Sequence, residues 1–485
     1  MLFNSFEFLL FLPLVFIVYW LIPSKKVLLQ NLFVLAASYF FYGWWDWRFL
    51  ALIAFSSLID YAIGRQLHKT VKATQRKILL WLSVGVNIGL LATFKYFNFF
   101  SESFTDLLNT FGLNASPFTL SVILPIGISF YTFQTLSYTI DIYRKNLEPT
   151  KNLIAFLGFV SFFPQLVAGP IERAKNLLPQ FLKPRTFNYN TAKLGLRQVL
   201  WGFFKKVVLA DGIGEYVNVI FENYHEMSSI TLVIGAALFL IQVYCDFSGY
   251  SDIAIGLAKL FGFKLNKNFA FPFFTTNVSE FWHKWHISLT RWFTDYVFIP
   301  LGGSKKGKYR TALHVLIVFF ISGLWHGSGW TYIFFGVING LYFIPNILFF
   351  NNWRNPFEES KTNSIKSLGN ILGMIKVFTL VAISTLFFRS NSMLDGWIFV
   401  TKIFINTSRV DFNEILNVTN QWEDVAVLSL SLIAMFTIEW INRTKEFGIE
   451  KLSRITWIRW LIYLLLSFTI VQYFGKEVDF IYFQF

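Results

Sequence analysis

Tyr244-Cys245-Asp246-Phe247-Ser248-Gly249-Tyr250-Ser251-Asp252, then Phe281-Trp282-His283-Lys284-Trp285-His286-Ile287-Ser288, then Leu324-Trp325-His326-Gly327 punctuate one hydrophobic stretch, residues 242–340. The stretch repeatedly admits residues that lipid rejects, including Asp246, Asp252 and the histidines at 283, 286 and 326. An ionisable side chain at membrane depth costs roughly 2.5–3.5 kcal/mol on insertion scales, so it normally faces a cavity or a partner. The stretch therefore reads as membrane helix with a polar interior, and it is where a reaction centre is expected.

Working outward, the composition supports the same reading. The chain is 55% hydrophobic, 20% aromatic and only 14% charged, with a mean hydropathy of +0.51. Soluble domains carry about 25% charged residues, so 485 residues of this kind cannot clothe a water-facing globule. The expectation is an all-α polytopic membrane protein, with residues 1–485 forming a single membrane-embedded domain and a catalytic core at about 118–350. The net charge of +14 does not point to nucleic acid, because no basic patch sits on a soluble domain. Lysines and arginines cluster between apolar segments, as cytoplasmic membrane loops do. The single cysteine, Cys245, excludes an internal disulfide and a cysteine-based zinc site.

Residues 6–22 lack a basic leader and are followed by Pro23-Ser24-Lys25-Lys26, so they read as a first membrane helix and not a cleaved signal peptide. Further spans are expected at 27–44, 49–65, 77–97 and 118–142, the last kinked near Pro125. Residues 152–168 lie between basic clusters, which suits a re-entrant hairpin. Residues 191–211 are amphipathic, with Lys193, Arg197, Lys205 and Lys206 among apolar neighbours, and read as an interfacial helix. Later spans fall at 311–325, 330–350, 372–388, 424–441 and 457–473. Basic loops at 23–26, 65–77 and 351–368 are assigned inside and the acidic loop 390–423 outside, which puts both termini outside the cytoplasm.

Within the opening stretch, His283 and His286 at i and i+3 would share a helix face and, with His326, could ligate a metal. Lys284 beside them and the lack of a recognised ligand spacing argue against it, so no metal is expected. His326 stands where an apolar helix meets Gly327-Ser328-Gly329. A neutral imidazole there costs little to bury and can still take a proton near neutral pH. Asp252 reads as structural polar glue, with Gly249 and Gly256 allowing close packing. Asp246 is left open between structural and functional use.

These residues resemble the membrane-bound O-acyltransferases, in particular the bacterial alginate O-acetyltransferase branch. The resemblance rests on Ile123-Leu124-Pro125-Ile126-Gly127-Ile128-Ser129-Phe130-Tyr131, Phe163-Pro164-Gln165-Leu166-Val167-Ala168-Gly169-Pro170, Phe203-Phe204-Lys205-Lys206-Val207-Val208-Leu209-Ala210-Asp211, Trp285-His286-Ile287-Ser288, Ile299-Pro300-Leu301-Gly302-Gly303 and Trp325-His326-Gly327. The ending Phe480-Ile481-Tyr482-Phe483-Gln484-Phe485 adds to it. The resemblance implies a ring of about 11 transmembrane helices, with re-entrant and interfacial helices, around a thinned central tunnel. It implies acetyl transfer to hydroxyls of an exported or cell-wall polysaccharide, with His326 and His286 as catalytic residues. Tyr244, Asp246, Ser288, Trp325 and Asn339 would then line the substrate site. Asn339 stands where many relatives carry a further histidine, so that position is not expected to be an obligatory base.

No bound cofactor is implied. Acetyl-CoA is the implied donor on the cytoplasmic side, and an extracytoplasmic acetyltransferase or polysaccharide-binding protein is the implied partner, in a bacterial inner membrane. The rival readings are a transporter or flippase for an envelope glycan precursor, with the histidines as a proton relay, and a non-catalytic assembly scaffold.

Overall fold

The computed structural model describes residues 1–167, 169–350, 368–405, 422–453, 455–475 and 480–481. Loop 351–368 (except residue 368), residues 406–421 of loop 390–423, and Tyr482 to the terminus lie outside these residues. The described chain is helical with no strand among the described residues. Six helical runs in it are long and apolar enough to cross a membrane: Val27–Lys69, Ala73–Thr110, Ser229–Leu260, Trp330–Leu348, Leu368–Arg389 and Trp422–Ile441. Two compact units are distinguished, one of Met1–Gly195 with Leu257–Asn266, the other of Leu196–Gly256 with Lys267–Phe485.

The first unit holds α1 (Phe6–Leu21), α2 (Val27–Asp46), α3 (Leu50–Lys69), α4 (Ala73–Leu91), α5 (Phe97–Thr110), α6 (Ile128–Tyr143), α7 (Leu153–Ser161), α8 (Phe163–Leu166) and α9 (Ala174–Phe181). Its helices α3, α4 and α6 are joined by buried polar groups. The Asp60 carboxylate accepts from Ser83 Oγ (2.5 Å) and Asn87 Nδ2 (2.8 Å), while Ser56 and Thr135 hydroxyls both donate to Asn87 Oδ1. Such side-chain bonds substitute for the hydrophobic drive that lipid does not supply between helices.

Two expected spans differ here. Helix α4 does not end near 97: a wide turn at Ala92–Tyr96 carries it on into α5. The span expected at 118–142 is helical only from Ile128, because Pro125 lacks an N–H and Gly127 takes a left-handed conformation, φ +75°. The segment expected at 152–168 is broken at Phe162, between α7 and the Pro164-containing turn α8.

The second unit takes up most of α10 (Tyr189–Phe203) and a widened helical turn, Phe204–Asp211, that leads into α11 (Gly212–Glu222). Most of α12 (Ser229–Leu260) also belongs to it. Helices α13 (Val278–Lys284), α14 (Ile287–Phe293), α15 (Ile299–Leu301), α16 (Lys308–His326), α17 (Trp330–Leu348), α18 (Leu368–Arg389), α19 (Met393–Ile405), α20 (Trp422–Ile441) and α21 (Thr456–Tyr473) complete it.

Two glycine contacts set its geometry. A β-carbon at Gly202 would lie 2.6 Å from the Gly249 carbonyl oxygen, and one at Gly249 would lie 2.8 Å from the Gly202 carbonyl oxygen. Helices α10 and α12 therefore meet backbone to backbone, which brings the turn after Gly202 against Ser248 and Asp252. Helices α16 and α17 form an equally close hairpin, where a β-carbon at Gly336 would sit 2.2 Å from the Phe319 carbonyl oxygen. Gly336→Leu is expected to destabilise the protein by at least the roughly 1–3 kcal/mol of an overpacked core. The check is a lowered midpoint in a detergent thermal-shift measurement; an unchanged midpoint would show that the hairpin does not need this contact.

That α10–α12 crossing corrects the interfacial reading of residues 191–211. Lys205 and Lys206 are each only 2% exposed. Lys205 Nζ pairs with Asp252 (2.7 Å), donates to Ser248 Oγ (2.8 Å) and stands 4.0 Å from Glu439. Lys206 Nζ pairs with Asp211 (2.7 Å) and Asp246 (2.8 Å). The amphipathic pattern was real, and Lys193 stays exposed, but Lys205 and Lys206 turn inward because Asp211, α12 and α20 supply carboxylates for them. Asp252 is the polar glue its sequence suggested, accepting also from Gln198 Nε2 (2.8 Å).

Candidate active site

The second unit places the candidate residues around a short buried segment that runs from the end of α13 into α14. His283 and His286 do not share a helix face. Helix α13 stops at Lys284, and His286 adopts φ +44°, ψ +53° as the residue that starts α14. A left-handed conformation is uncommon for a residue with a β-carbon and persists only where the surroundings fix it. Here the Ile287 N–H donates to the Asn268 carbonyl (2.8 Å), and the Trp285 N–H to the Phe281 carbonyl (2.8 Å). The Ala270 N–H donates to the Lys284 carbonyl (2.9 Å). Lys284 itself pairs with Glu280 (2.8 Å).

His286 is 1% exposed and His326 4% exposed. Trp325 adjoins both, its ring centre 5.7 Å from that of His286 and 5.0 Å from that of His326. Phe247 closes on His286 at 4.5 Å, and Phe335 and Phe388 close on His326 at 5.7 and 5.6 Å. His286 lies outside the candidate spans. Burial, and secondarily the nearby His326, holds its pKa well below the ordinary imidazole value, so it is uncharged at neutral pH. His326 ends α16, and the glycine after it has a packing reason. A β-carbon on Gly327 would lie 2.4 Å from the Tyr332 ring, which itself packs edge-on against Phe388.

The other expected site residues are placed less uniformly. Ser288 follows the strained turn, its hydroxyl donating to Asn268 Oδ1 (2.9 Å). Tyr244 lies one aromatic layer away, against Phe273, Phe269 and Trp285, with its hydroxyl donating to the Glu439 carboxylate (2.9 Å). Asp246 is committed to Lys206 and to the Ile481 N–H (2.7 Å). Asn339 sits one turn beyond Phe335 on α17, donating to the Phe335 carbonyl (2.7 Å) and accepting from Ser384 on α18 (3.4 Å). His286, Trp325 and His326 are thus brought together, Ser288 and Tyr244 adjoin them, and Asp246 and Asn339 have demonstrable packing roles. Among the described residues no three His, Cys, Asp or Glu side chains are grouped to hold a metal.

Sequence reasoning missed Glu439, which lies in α20, and Asn268, which lies in the loop after α12. The only signal for Glu439 was a lone carboxylate in an otherwise apolar run. Asn268 gave none.

Chemically, two buried imidazoles in contact with one indole offer a proton acceptor and a hydrogen-bond donor in a place from which bulk water is excluded. That pairing suits transfer of an acyl group to a hydroxyl. The comparison with known proteins agrees. Residues 45–386 match the model of the membrane-bound O-acyltransferase family. The chain is 42% identical to the probable alginate O-acetylase AlgI of Pseudomonas putida over 347 residues, 70% of each protein. It is 36% identical to its Pseudomonas aeruginosa counterpart over 90% of this chain and 81% of that protein. It is 32% identical to the peptidoglycan O-acetyltransferase of Helicobacter pylori over 81% of this chain and 78% of that protein. With multiple apolar spans and these relatives, the chain belongs to the membrane-bound O-acyltransferase family and is an O-acyltransferase embedded in the membrane by several helices.

Proposed function

We propose that this protein moves acetyl groups from a cytoplasmic donor, acetyl-CoA, onto hydroxyls of an exported or cell-wall polysaccharide in a bacterial inner membrane. An extracytoplasmic acetyltransferase or polysaccharide-binding partner completes the transfer. The chain works as one membrane-embedded acyltransferase domain whose catalytic core spans about 118–350. The observation that carries this reading is the placement of His286 and His326 against the same indole, Trp325, both buried, in a chain whose relatives are named as O-acetylating enzymes of alginate and peptidoglycan.

In this reading His326 takes the proton of the attacking hydroxyl as its oxygen adds to the thioester carbonyl. Collapse of the tetrahedral intermediate breaks the C–S bond, and the proton leaves with the thiolate, giving an ester and a free thiol. A histidine base contributes about 10²–10⁴-fold. Neutral His286 donates its remaining N–H to the carbonyl oxygen, where charge develops; a positioned donor of this kind is worth about 10²–10³-fold. Trp325 packs against and orients the two rings, while Ser288, Tyr244, Asp246 and Asn339 shape the substrate's surroundings.

Mass spectrometry of envelope glycans with and without the protein tests the reading. The expected result is loss of ester-linked acetate with polymer amount unchanged. Loss of the polymer itself, with residual chains still acetylated, would favour a transporter or flippase instead.

A further inference from the structure

We propose that Asn268 is a positioning residue for acyl transfer, clamping the left-handed turn at His286 so that the imidazole is aimed beside Trp325 and His326. This rests on the role given to His286 above. Asn268 is fully buried (0% exposed) in the loop that follows α12. Its carbonyl accepts the Ile287 N–H at 2.8 Å, immediately after the strained residue. Its side-chain Oδ1 accepts the Ser288 hydroxyl at 2.9 Å and the Ser288 N–H at 3.3 Å. Its Nδ2 donates to Ser251 Oγ on α12 at 3.1 Å.

One side chain thus ties the first turn of α14 to the helix that carries Tyr244 and Phe247, and Phe247 is the ring that closes on His286. The first N–H groups of a helix have no intrahelical acceptor. His286 gives α14 no side-chain cap, and Asn268 supplies the acceptors from outside the helix. A residue in a sparsely populated backbone region is held only by contacts that over-determine it. Without the amide, the turn at 286 is free to relax toward negative φ, which swings the imidazole away from Trp325. An asparagine is suited to the task because one amide accepts through oxygen and donates through nitrogen. Aspartate would add a buried charge, and leucine would remove both bonds.

The test measures ester-linked acetate on envelope glycans in cells that carry single-copy variants, at matched amounts of folded protein. Asn268→Ala is expected to lower acetylation by about 10–100-fold, the range for an angstrom-scale misplacement of a reacting group. Ser288→Ala is expected to lower it severalfold, and Ser288→Thr, which keeps the hydroxyl, to restore most of it. A purely structural role would not follow the hydroxyl in this way. If Asn268→Ala stays within twofold of wild type while His286→Ala abolishes acetylation, the clamp is overturned and the role of His286 stands. If His286→Ala itself stays within twofold, the role of His286 fails and the clamp falls with it. Should Asn268→Ala fail to accumulate folded, the Ser288 pair decides, and a Ser288→Ala protein as active as wild type overturns the proposal.

Discussion

His326→Ala is expected to abolish envelope O-acetylation while the protein remains folded and in the membrane. The basis for the size of the effect is chemical. A hydroxyl is a poor nucleophile until a base takes its proton, and a histidine base is worth about 10²–10⁴-fold. The basis for expecting the fold to survive is structural. His326 ends α16, so its loss does not interrupt the α16–α17 hairpin, whose close contacts are made by Gly323, in the turn before it, and by Gly336 against Phe319. The aromatic rings around it, Trp325, Phe335 and Phe388, remain to fill most of the space. His326→Gln keeps hydrogen-bonding capacity without basicity, and is expected to be nearly as inactive. Comparable acetylation in the alanine variant and wild type would remove His326 from the chemistry.

Lys206→Met is expected to have the largest effect on stability. Lys206 is the cation that faces Asp211 and Asp246, and all three side chains are within 5% of full burial. Removing one partner of a buried ion pair typically costs roughly 3–5 kcal/mol, because the remaining charge keeps its desolvation penalty without its attraction. Here two carboxyl groups would be left in that position. Lowered accumulation and a lowered midpoint in a detergent thermal-shift measurement check the expectation. The combined variant Lys206→Met/Asp211→Asn/Asp246→Asn should recover part of the loss, since it removes the orphaned charges as well. Equal midpoints for Lys206→Met and wild type would mean that the cluster does not hold these helices together.

The contrast between these residues shows what the sequence made legible. The histidines stood out because they break the hydropathy of their segments, and the same conflict with lipid that flagged them is resolved by mutual burial around Trp325. The spans at 330–350, 372–388 and 424–441 were legible for the complementary reason: length and apolarity alone specify a crossing helix. Lys205 and Lys206 were not legible, because an amphipathic pattern has two physical solutions. Its cations either face water or face carboxylates brought from elsewhere, and the deciding partners, Asp252 and Glu439, are distant in sequence. The Gly202–Gly249 contact selects the second solution, and no local pattern reports it. The turn at His286 was hidden too. The i, i+3 spacing of His283 and His286 reads as one helix, whereas bonds from the Asn268 loop stop α13 and restart α14. Tyr244 lay in a legible place, but its partner Glu439 sat inside what reads as an ordinary span.

The central claim is acyl transfer at the paired histidines, and purified protein in proteoliposomes tests it most directly. Acetyl-CoA labelled in its acetyl group is supplied together with envelope glycan and an extract of the envelope's extracytoplasmic proteins, and label in alkali-labile ester is measured for wild type, His326→Ala and His286→Ala. The account predicts ester formation by wild type that falls by at least about 10²-fold in either variant. Ester formation by both variants at the wild-type rate would contradict it.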